Sequence, residues 1–306
     1  MAEIQKISED NISVGCYRRK IVFIGSNSFY INGKKVFESG GAQVSAFPNL
    51  VYDIVNLNDN IIHIDSHGNV FGGGMENRNF SHSGLFSGLE ITPSFLVAAH
   101  DISHNLRFID KQTFETTTKY TMPSMVTGLS NFHDDCVTLI DGNTIAVMDP
   151  RLSNLENSAI RSTPLPSVPI AVSSQNFQYI VVSGDDRRLR VFDARKMKTP
   201  VITTKPSTKN GTIAMHLDTK SQNVACIGCD ESLTIVDLTL AEAKKDTGQF
   251  KRGKFLSEAP WVSMATQNQE SISILARNGK MYTFQNVFET LKQLQNKNED
   301  DELDGE

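Results

Sequence analysis

Two short histidine-rich segments contain the side chains best suited to metal chemistry. They read HIDSH and HDISH, and alternate residues on a β-strand share a face, so imidazole and carboxylate groups would point together. Such groups at this spacing can hold zinc or another divalent ion. The candidate metal ligands are His63, Asp65, His67, His100, Asp101 and His104.

Three interpretations of these segments stay open. Both segments fall where the pattern predicts a hairpin turn, and a turn can twist neighbouring side chains apart. Structural turns are therefore the favoured interpretation, ahead of a polar rim that contacts a partner and of a metal site. We predict no metal and no cofactor, and we keep His67 and His104 as candidates for binding a partner protein.

A second set of candidates consists of cations that follow short apolar strands. If these strands repeat around an axis, the loops after them share one face and the cations form a basic crown. The residues are Lys34, Lys35, Lys111, Arg151, Arg195 and Lys196. Of these, Lys111, Arg151, Arg195 and Lys196 are taken as protein-binding candidates.

Carboxylates stand close to several of these cations in the sequence. Asp110, Asp149, Asp193 and Asp237 end four strands, and aspartate suits the tight turn that follows a strand, so a structural role is expected. A further basic run, RRLR at 187–190, lies beside Asp185 and Asp186. Local neutralisation is the expectation for that run.

Cysteines and catalytic motifs give little support to an enzyme. Cys16, Cys136, Cys226 and Cys229 are too sparse for a disulfide framework. Residues three apart on a strand face opposite ways, so we expect one buried and one edge thiol from Cys226 and Cys229. The chain has no Gly-x-Ser-x-Gly, P-loop, His-Glu-x-x-His or dinucleotide motif, which favours a non-catalytic protein.

An internal repeat predicts the elements that position these residues. Four segments are short apolar strands closed by aspartate, and each follows a turn and another strand: LRFID (106–110), IAVMD (145–149), LRVFD (189–193) and LTIVD (233–237). Weaker copies end near residues 33, 74 and 285. The repeat recurs about every 42 residues with several short strands per unit, a period typical of β-propeller blades.

The chain resembles the WD-repeat family, and the segments SGDDRRLRVFDAR (183–195) and IGCDESLTIVD (227–237) carry the resemblance. It implies an all-β, seven-bladed propeller with four-stranded antiparallel blades. No repeat ends in Trp-Asp and no Gly-His dipeptide opens one. Only Ser183 and Asp186 match the family's buried polar network, so we expect blades held mainly by apolar packing.

Two consecutive repeats carry a further resemblance. Met148-Asp-Pro-Arg151 and Phe192-Asp-Ala-Arg195 are similar to the Trp-Asp-x-Arg signature of substrate receptors of a cullin-based ubiquitin ligase, although tryptophan is absent from both. The resemblance implies that Arg151 and Arg195 would contact the ligase adaptor. Ordinary WD-repeat usage remains the favoured interpretation of the two segments.

Domain boundaries follow from the repeat. Residues 1–286 form the propeller, and the family's mode of ring closure implies that residues 2–8 pair as the outer strand of the blade at 261–286. Residues 287–298 suit a short helix with one apolar stripe. Residues 299–306 form an acidic tail, expected to be disordered, and they account for the net charge of −5, so the remaining chain is close to neutral.

The favoured function is a non-catalytic protein-interaction scaffold, a monomeric propeller acting as subunit or adaptor of a hetero-complex. The near-neutral body does not favour nucleic acid but does not exclude it. No secretory signal or membrane-spanning run is present, so the cytoplasm or nucleus is expected. The alternatives are a ligase substrate receptor and a propeller hydrolase with a metal site at the histidine-rich rim.

Overall fold

A computed structural model describes residues 2–6, 21–24, 28–31, 36–38, 51–57, 60–65, 69–72, 75–79, 86–100, 104–152, 159–174, 178–218, 223–238, 253–268, 271–285 and 288. These residues form strands arranged as seven antiparallel sheets. None of the described helical residues forms a segment long and apolar enough to cross a membrane.

The first four sheets in chain order contain strands β2 to β16. Sheet 1 holds β2 (Ile21–Ile24), β3 (Ser28–Ile31) and β4 (Val36–Glu38). Sheet 2 holds β5 (Val51–Leu57), β6 (Asn60–Asp65), β7 (Asn69–Gly72) and β8 (Met75–Asn79). Sheet 3 holds β9 (Phe86–Ile91), β10 (Phe95–His100), β11 (Asn105–Asp110) and β12 (Thr116–Thr121). Sheet 4 holds β13 (Val126–His133), β14 (Cys136–Asp141), β15 (Thr144–Met148) and β16 (Ala159–Arg161).

The remaining strands complete three further sheets. Sheet 5 holds β17 (Pro169–Ser174), β18 (Tyr179–Gly184), β19 (Arg188–Asp193) and β20 (Ile202–Pro206). Sheet 6 holds β21 (Thr212–Leu217), β22 (Asn223–Gly228), β23 (Ser232–Asp237) and β24 (Gly253–Leu256). Sheet 7 holds β25 (Trp261–Asn268), β26 (Ser271–Ala276), β27 (Lys280–Gln285) and β1 (Ala2–Lys6).

The expectation of seven four-stranded sheets is wrong for the described residues. Six sheets have four strands, and sheet 1 has three. Residues 7–20, which precede β2, lie outside the described part of the chain, so the first sheet is described without a strand ahead of β2. The predicted hairpins are confirmed in every sheet, and the repeated four-stranded sheets are consistent with a β-propeller-like fold.

The predicted pairing of the N-terminal strand is confirmed over residues 2–6, and residues 7 and 8 lie outside the described part of the chain. β1 pairs antiparallel with β27, with Ala2 opposite Phe284 and Lys6 opposite Lys280. This pairing covers the edge of β27, whose backbone groups would otherwise be open to pairing with another chain. The first described segment of the chain therefore completes the last sheet.

The hydrophobic cores lie between neighbouring sheets. On β10, Leu96 packs in the core between sheets 2 and 3, whereas the next residue, Val97, packs in the core between sheets 3 and 4. On β18, Ile180 and Val181 divide in the same way between the cores on either side of sheet 5. Because successive residues face opposite sides, strands of this kind need apolar residues at successive positions, and each large buried side chain stabilises the fold by roughly 1.5–3 kcal/mol.

The first strands of the sheets contact one another in chain order. Contacts link β5 to β9, then β13, β17, β21 and β25, and β2 contacts both β25 and β5. The strands lie at the same height: the Ser174 amide donates to Ser130 Oγ at 3.0 Å, and the Leu217 amide donates to Ser173 Oγ at 3.1 Å. Equivalent loops of sheets 4, 5 and 6 therefore lie on the same side of the stack.

Candidate functional site

Two rims result from this arrangement. The clamp rim consists of the loops after the third strands, at 110–115, 149–152 and 193–201. The hairpin rim consists of the turns between second and third strands, around residues 104, 142, 186, 230 and 278, with the adjoining ends of the outer strands. In an antiparallel sheet these two sets of turns lie at opposite ends of the strands.

Arg151 and Arg195 lie on the clamp rim in the same conformation. The Arg151 amide donates to Asp149 Oδ1 at 3.0 Å, Nε donates to the same oxygen at 2.8 Å, and Nη2 donates to Oδ2 at 2.6 Å. In the next sheet, Arg195 makes the same three bonds to Asp193 at 2.9, 3.0 and 2.8 Å. We call each of these units an Asp-x-Arg clamp.

The clamps neutralise charge without hiding the guanidinium groups. The Arg195 side chain is 73% exposed and that of Arg151 is 65% exposed. Hydrogen bonds from Arg195 lower the pKa of Asp193 to about 2, and those from Arg151 lower the pKa of Asp149. The carboxylates in turn raise the pKa of both arginines. A guanidinium has five N–H donors, so each clamp leaves donors directed away from its own carboxylate.

The other clamp-rim candidates are placed differently. Lys111 is half-buried, and its Nζ donates to the Thr92 carbonyl oxygen at 2.9 Å, so it ties its loop to the neighbouring turn. Lys196 has an exposed side chain, and its amide donates to the Asp193 carbonyl oxygen at 2.8 Å. Lys34 and Lys35 lie outside the described residues.

The described members of the expected basic crown share one rim, and the chain itself uses several of their charges. Lys111, Arg151, Arg195 and Lys196 do share one rim, but both arginines are paired with their own aspartates and Lys111 is used internally. The predicted structural role of the strand-ending aspartates is confirmed for Asp110, whose Oδ1 accepts the amides of Gln112 and Thr113, each at 2.8 Å. Asp149 and Asp193 also order their turns, because each accepts a backbone amide two residues ahead.

The histidine-rich candidates are only partly described. His63 and Asp65 lie on β6, and His100 ends β10, whereas His67 and Asp101 lie outside the described residues. His104 occupies a left-handed backbone position (φ 52°) on the hairpin rim, and its carbonyl oxygen accepts the Met122 amide at 2.7 Å. The metal interpretation thus stays a prediction; among described side chains no group of three histidine, cysteine or acidic residues could hold an ion.

Three aspartates on the hairpin rim, Asp141 and Asp230 buried and Asp186 half-buried, are structural groups that the sequence did not single out as a set. Asp141 pairs with Arg161, and Asp186 pairs with Arg190, whose side chain is only 6% exposed. Asp230 accepts the amides of Asn210 at 2.9 Å and Ser232 at 2.7 Å. Burial acts to raise the pKa of Asp186, but hydrogen bonds from Arg190 and from the Arg188 amide outweigh it and lower the pKa.

The neutralisation expected for the run at 187–190 holds for one arginine. Asp186 is paired with Arg190 and Asp193 with Arg195, so neither carboxylate pairs with the guanidinium group of Arg187 or Arg188. The guanidinium groups of those two residues donate to carbonyl oxygens instead, Arg187 to Lys209 at 2.9 Å and Arg188 to Thr204 at 3.3 Å. Their positive charge is therefore not cancelled.

The cysteine prediction is confirmed for the pair on sheet 6. Cys226 is buried and its Sγ donates to the Thr234 carbonyl oxygen at 3.4 Å, whereas Cys229 is exposed at the turn after β22. Cys136 is a free thiol on the clamp-rim side, and burial raises its pKa.

Comparison with known proteins gives a fold and no function. No family model matches the chain, and no curated protein matches it. Among solved structures, it is similar to the computationally designed Ika8 protein, with a TM-score of 0.66 and 12% sequence identity over 86% of this chain and 82% of that one. At this identity the likeness shows a shared fold alone.

Proposed function

We propose that the chain is a non-catalytic protein-interaction scaffold built on a closed seven-bladed propeller of the WD-repeat type. The observation that carries the proposal is the cycle of contacts between first strands, in which β2 touches both β25 and β5. A cycle of this kind needs every sheet to have two neighbours, which a ring provides. Loops on a stiff ring are well suited to bind other macromolecules.

The clamp rim is the favoured docking face. Arg151 and Arg195 are held in the same orientation on consecutive sheets, and each has N–H donors left to bind a partner. Preorganised side chains lose less conformational entropy on binding, and arginine is enriched among the residues that dominate interfaces. Exposed Leu152 lies next to Arg151, and Tyr120 holds this loop by donating its hydroxyl to the Leu152 carbonyl oxygen.

The partners are other proteins of a complex in the cytoplasm or nucleus, and the propeller itself is monomeric. Two observations support a protein partner over a nucleic acid. The chain without residues 299–306 is close to neutral, and the exposed large apolar side chains among the described residues are all aliphatic, which leaves no aromatic platform for stacking bases.

Co-purification of the full chain with its partners tests the proposal. The variant is Arg151→Gln with Arg195→Gln, and the matched control is Lys119→Gln with Arg277→Gln, two exposed cations outside the clamp rim. We expect the first variant to lose at least one stoichiometric partner that the control retains. A protein that purifies alone as a monomer from native extracts, with or without the substitutions, would contradict a scaffold role.

The ligase-receptor function is the second candidate, because the two Asp-x-Arg clamps lie on consecutive sheets with the same geometry. The same pair of variants distinguishes it. Loss of a cullin-ligase adaptor from the Arg151→Gln, Arg195→Gln preparation would support this function, and unchanged recovery or consistent absence of the adaptor would reject it.

A further inference from the structure

Four cations form a compact patch on the hairpin rim of sheet 5, opposite the clamps. Arg187 comes from the turn between β18 and β19, Arg188 begins β19, Lys205 lies on β20, and Lys209 lies in the connection that follows β20. We call these four residues the basic strip. Arg188, Lys205 and Lys209 are exposed, and Arg187 is half-buried.

Hydrogen bonds hold the basic strip together. The Arg187 carbonyl oxygen accepts the amide of Ser207 at 2.8 Å and its hydroxyl at 3.0 Å, which joins the turn to the connection after β20. The Arg187 guanidinium then reaches the Lys209 carbonyl oxygen. Because the guanidinium groups of Arg187 and Arg188 donate to carbonyl oxygens and not to carboxylates, both side chains are held in place and keep their positive charge.

Acids near the strip do not offset it. Asp186 is paired with buried Arg190, and Asp230 lies buried and accepts bonds from Asn210 and Ser232. Asp185 is the exposed acid in the same turn. Four bases therefore face one exposed carboxylate here, in a protein that is otherwise close to neutral.

Arg187 occupies a backbone position that favours glycine. Its φ is 65°, and its amide donates to the carbonyl oxygen three residues back at 3.0 Å. Gly279 has φ 76° and makes the same bond in the turn of sheet 7. A left-handed non-glycine residue costs about 1 kcal/mol or more, and such strain is concentrated at functional sites. His104, Phe114 and Asp134 have the same left-handed backbone elsewhere in the described part of the chain.

Apolar side chains border the strip. The Asp185 amide donates to the Val168 carbonyl oxygen at 3.2 Å, so the loop before β17 lies against the turn. Val168 is 53% exposed and Ile170 is 38% exposed. Positive charge beside exposed aliphatic groups is complementary to a segment that combines carboxylates with apolar residues.

We propose that the basic strip, with Val168 and Ile170, binds an acidic and apolar peptide segment of a partner protein. This proposal rests on the scaffold function and adds a second docking surface, on the rim opposite the clamps. The fixed arginines bind carboxylates of the peptide, and its apolar side chains pack on Val168 and Ile170.

Fluorescence anisotropy with a labelled synthetic peptide of alternating glutamate and leucine tests the proposal on the full chain. We expect Arg188→Gln with Lys209→Gln to weaken peptide binding about tenfold, because both removed charges belong to the strip. The Lys119→Gln, Lys198→Gln variant changes net charge equally and should stay within about twofold of the unsubstituted chain. Equal weakening by both variants would show non-specific charge attraction and overturn the proposal.

Two further probes separate the contributions. A peptide with glutamine in place of glutamate should not bind, because it lacks the carboxylates. Val168→Ser should weaken binding of the glutamate peptide, and the salt dependence of that binding should stay the same. Tighter binding of a single-stranded RNA oligonucleotide than of the peptide would overturn the proposal. If the peptide does not bind while partners still depend on Arg151 and Arg195, the basic strip fails and the scaffold function stands.

Discussion

The hairpin rim and the clamp rim use the same chemical pair in two environments. On the hairpin rim, Asp186 pairs with Arg190, whose side chain lies between sheets. On the clamp rim, Asp193 pairs with Arg195, whose side chain extends into solvent. Both pairs lie on sheet 5, at opposite ends of β19, and they differ chiefly in the burial of the arginine, which is 6% exposed in Arg190 and 73% exposed in Arg195.

Burial decides what each pair contributes. A buried charge that loses its partner is left without compensation in a medium that solvates it poorly, whereas water and salt replace the partner of an exposed charge. The hairpin-rim pair therefore belongs to the folded core of the sheet stack. The clamp-rim pair costs little to disturb, and its guanidinium group remains free to contact a partner protein.

Breaking one carboxylate at each end of β19 tests this comparison directly. Asp186→Asn leaves Arg190 buried without its counter-charge and should lower the free energy of unfolding by about 3–5 kcal/mol. Asp193→Asn should leave the urea midpoint almost unchanged, because Arg195 stays solvated. Urea unfolding followed by circular dichroism measures both variants, and midpoints shifted equally would show that burial does not distinguish the two pairs.

Two glycines on the hairpin rim give the next largest contrast. A Cβ added at Gly184 would lie 2.0 Å from the Val168 carbonyl oxygen, where the backbones of two strands meet. Gly184→Ala should therefore lower the free energy of unfolding by about 3 kcal/mol. At Gly211 the atom nearest to an added Cβ would be Asp185 Cα at 3.9 Å, so Gly211→Ala should change the free energy of unfolding by less than about 1 kcal/mol.

The same unfolding measurement serves both glycine variants. The difference in unfolding free energy between the two variants shows whether the hairpin rim is rigid where Gly184 contacts Val168. This contact fixes the position of Val168 beside the basic strip. Equal stability of the two variants would mean that the loop before β17 moves aside to accept a methyl group.

The strands could be predicted from sequence because their signal is local. The segments ending at Asp110 and Asp193 have apolar residues at successive positions, and the structure places a strand with two buried faces at each, Asn105–Asp110 and Arg188–Asp193. The pairing of β1 with β27 joins distant parts of the chain, and it was expected from the resemblance to a family whose rings close through an N-terminal strand. Local periodicity predicts the strands, whereas this long-range pairing needed the resemblance.

The partners of the charges could not be predicted from sequence. Asp186 lies next to Arg187 and Arg188, yet it binds the side chain of Arg190, because the turn directs Arg190 between the sheets. Arg151 and Arg195 were placed only by their position after a strand, yet each folds back onto the aspartate two residues earlier. The pairing of carboxylates with guanidinium groups depends on turn geometry and on the packing of sheets. Adjacency in the sequence reveals neither of these.

A pH titration of the unfolding free energy gives the smallest expected effect. It compares half-buried His216 with the carboxylate of the Asp193 clamp. His216 lies on β21 with its ring 6.3 Å from that of Phe288, and burial lowers its pKa to about 4, although Asp218 acts to raise it. In the unfolded chain the pKa is near 6.5, so the unfolded state binds the proton first as the pH falls. Stability due to this group is complete above about pH 6.5 and declines towards pH 4.

We expect a loss of about 2 kcal/mol in unfolding free energy between pH 7 and about pH 5. The His216→Phe variant should lose most of this dependence, because it removes the titrating group and keeps an aromatic ring beside Phe288. Asp193 has a pKa near 2, so its clamp stays intact over the whole range and the exposed pair adds no slope. An unchanged slope in His216→Phe would show that the pH dependence arises from other groups and not from half-buried His216.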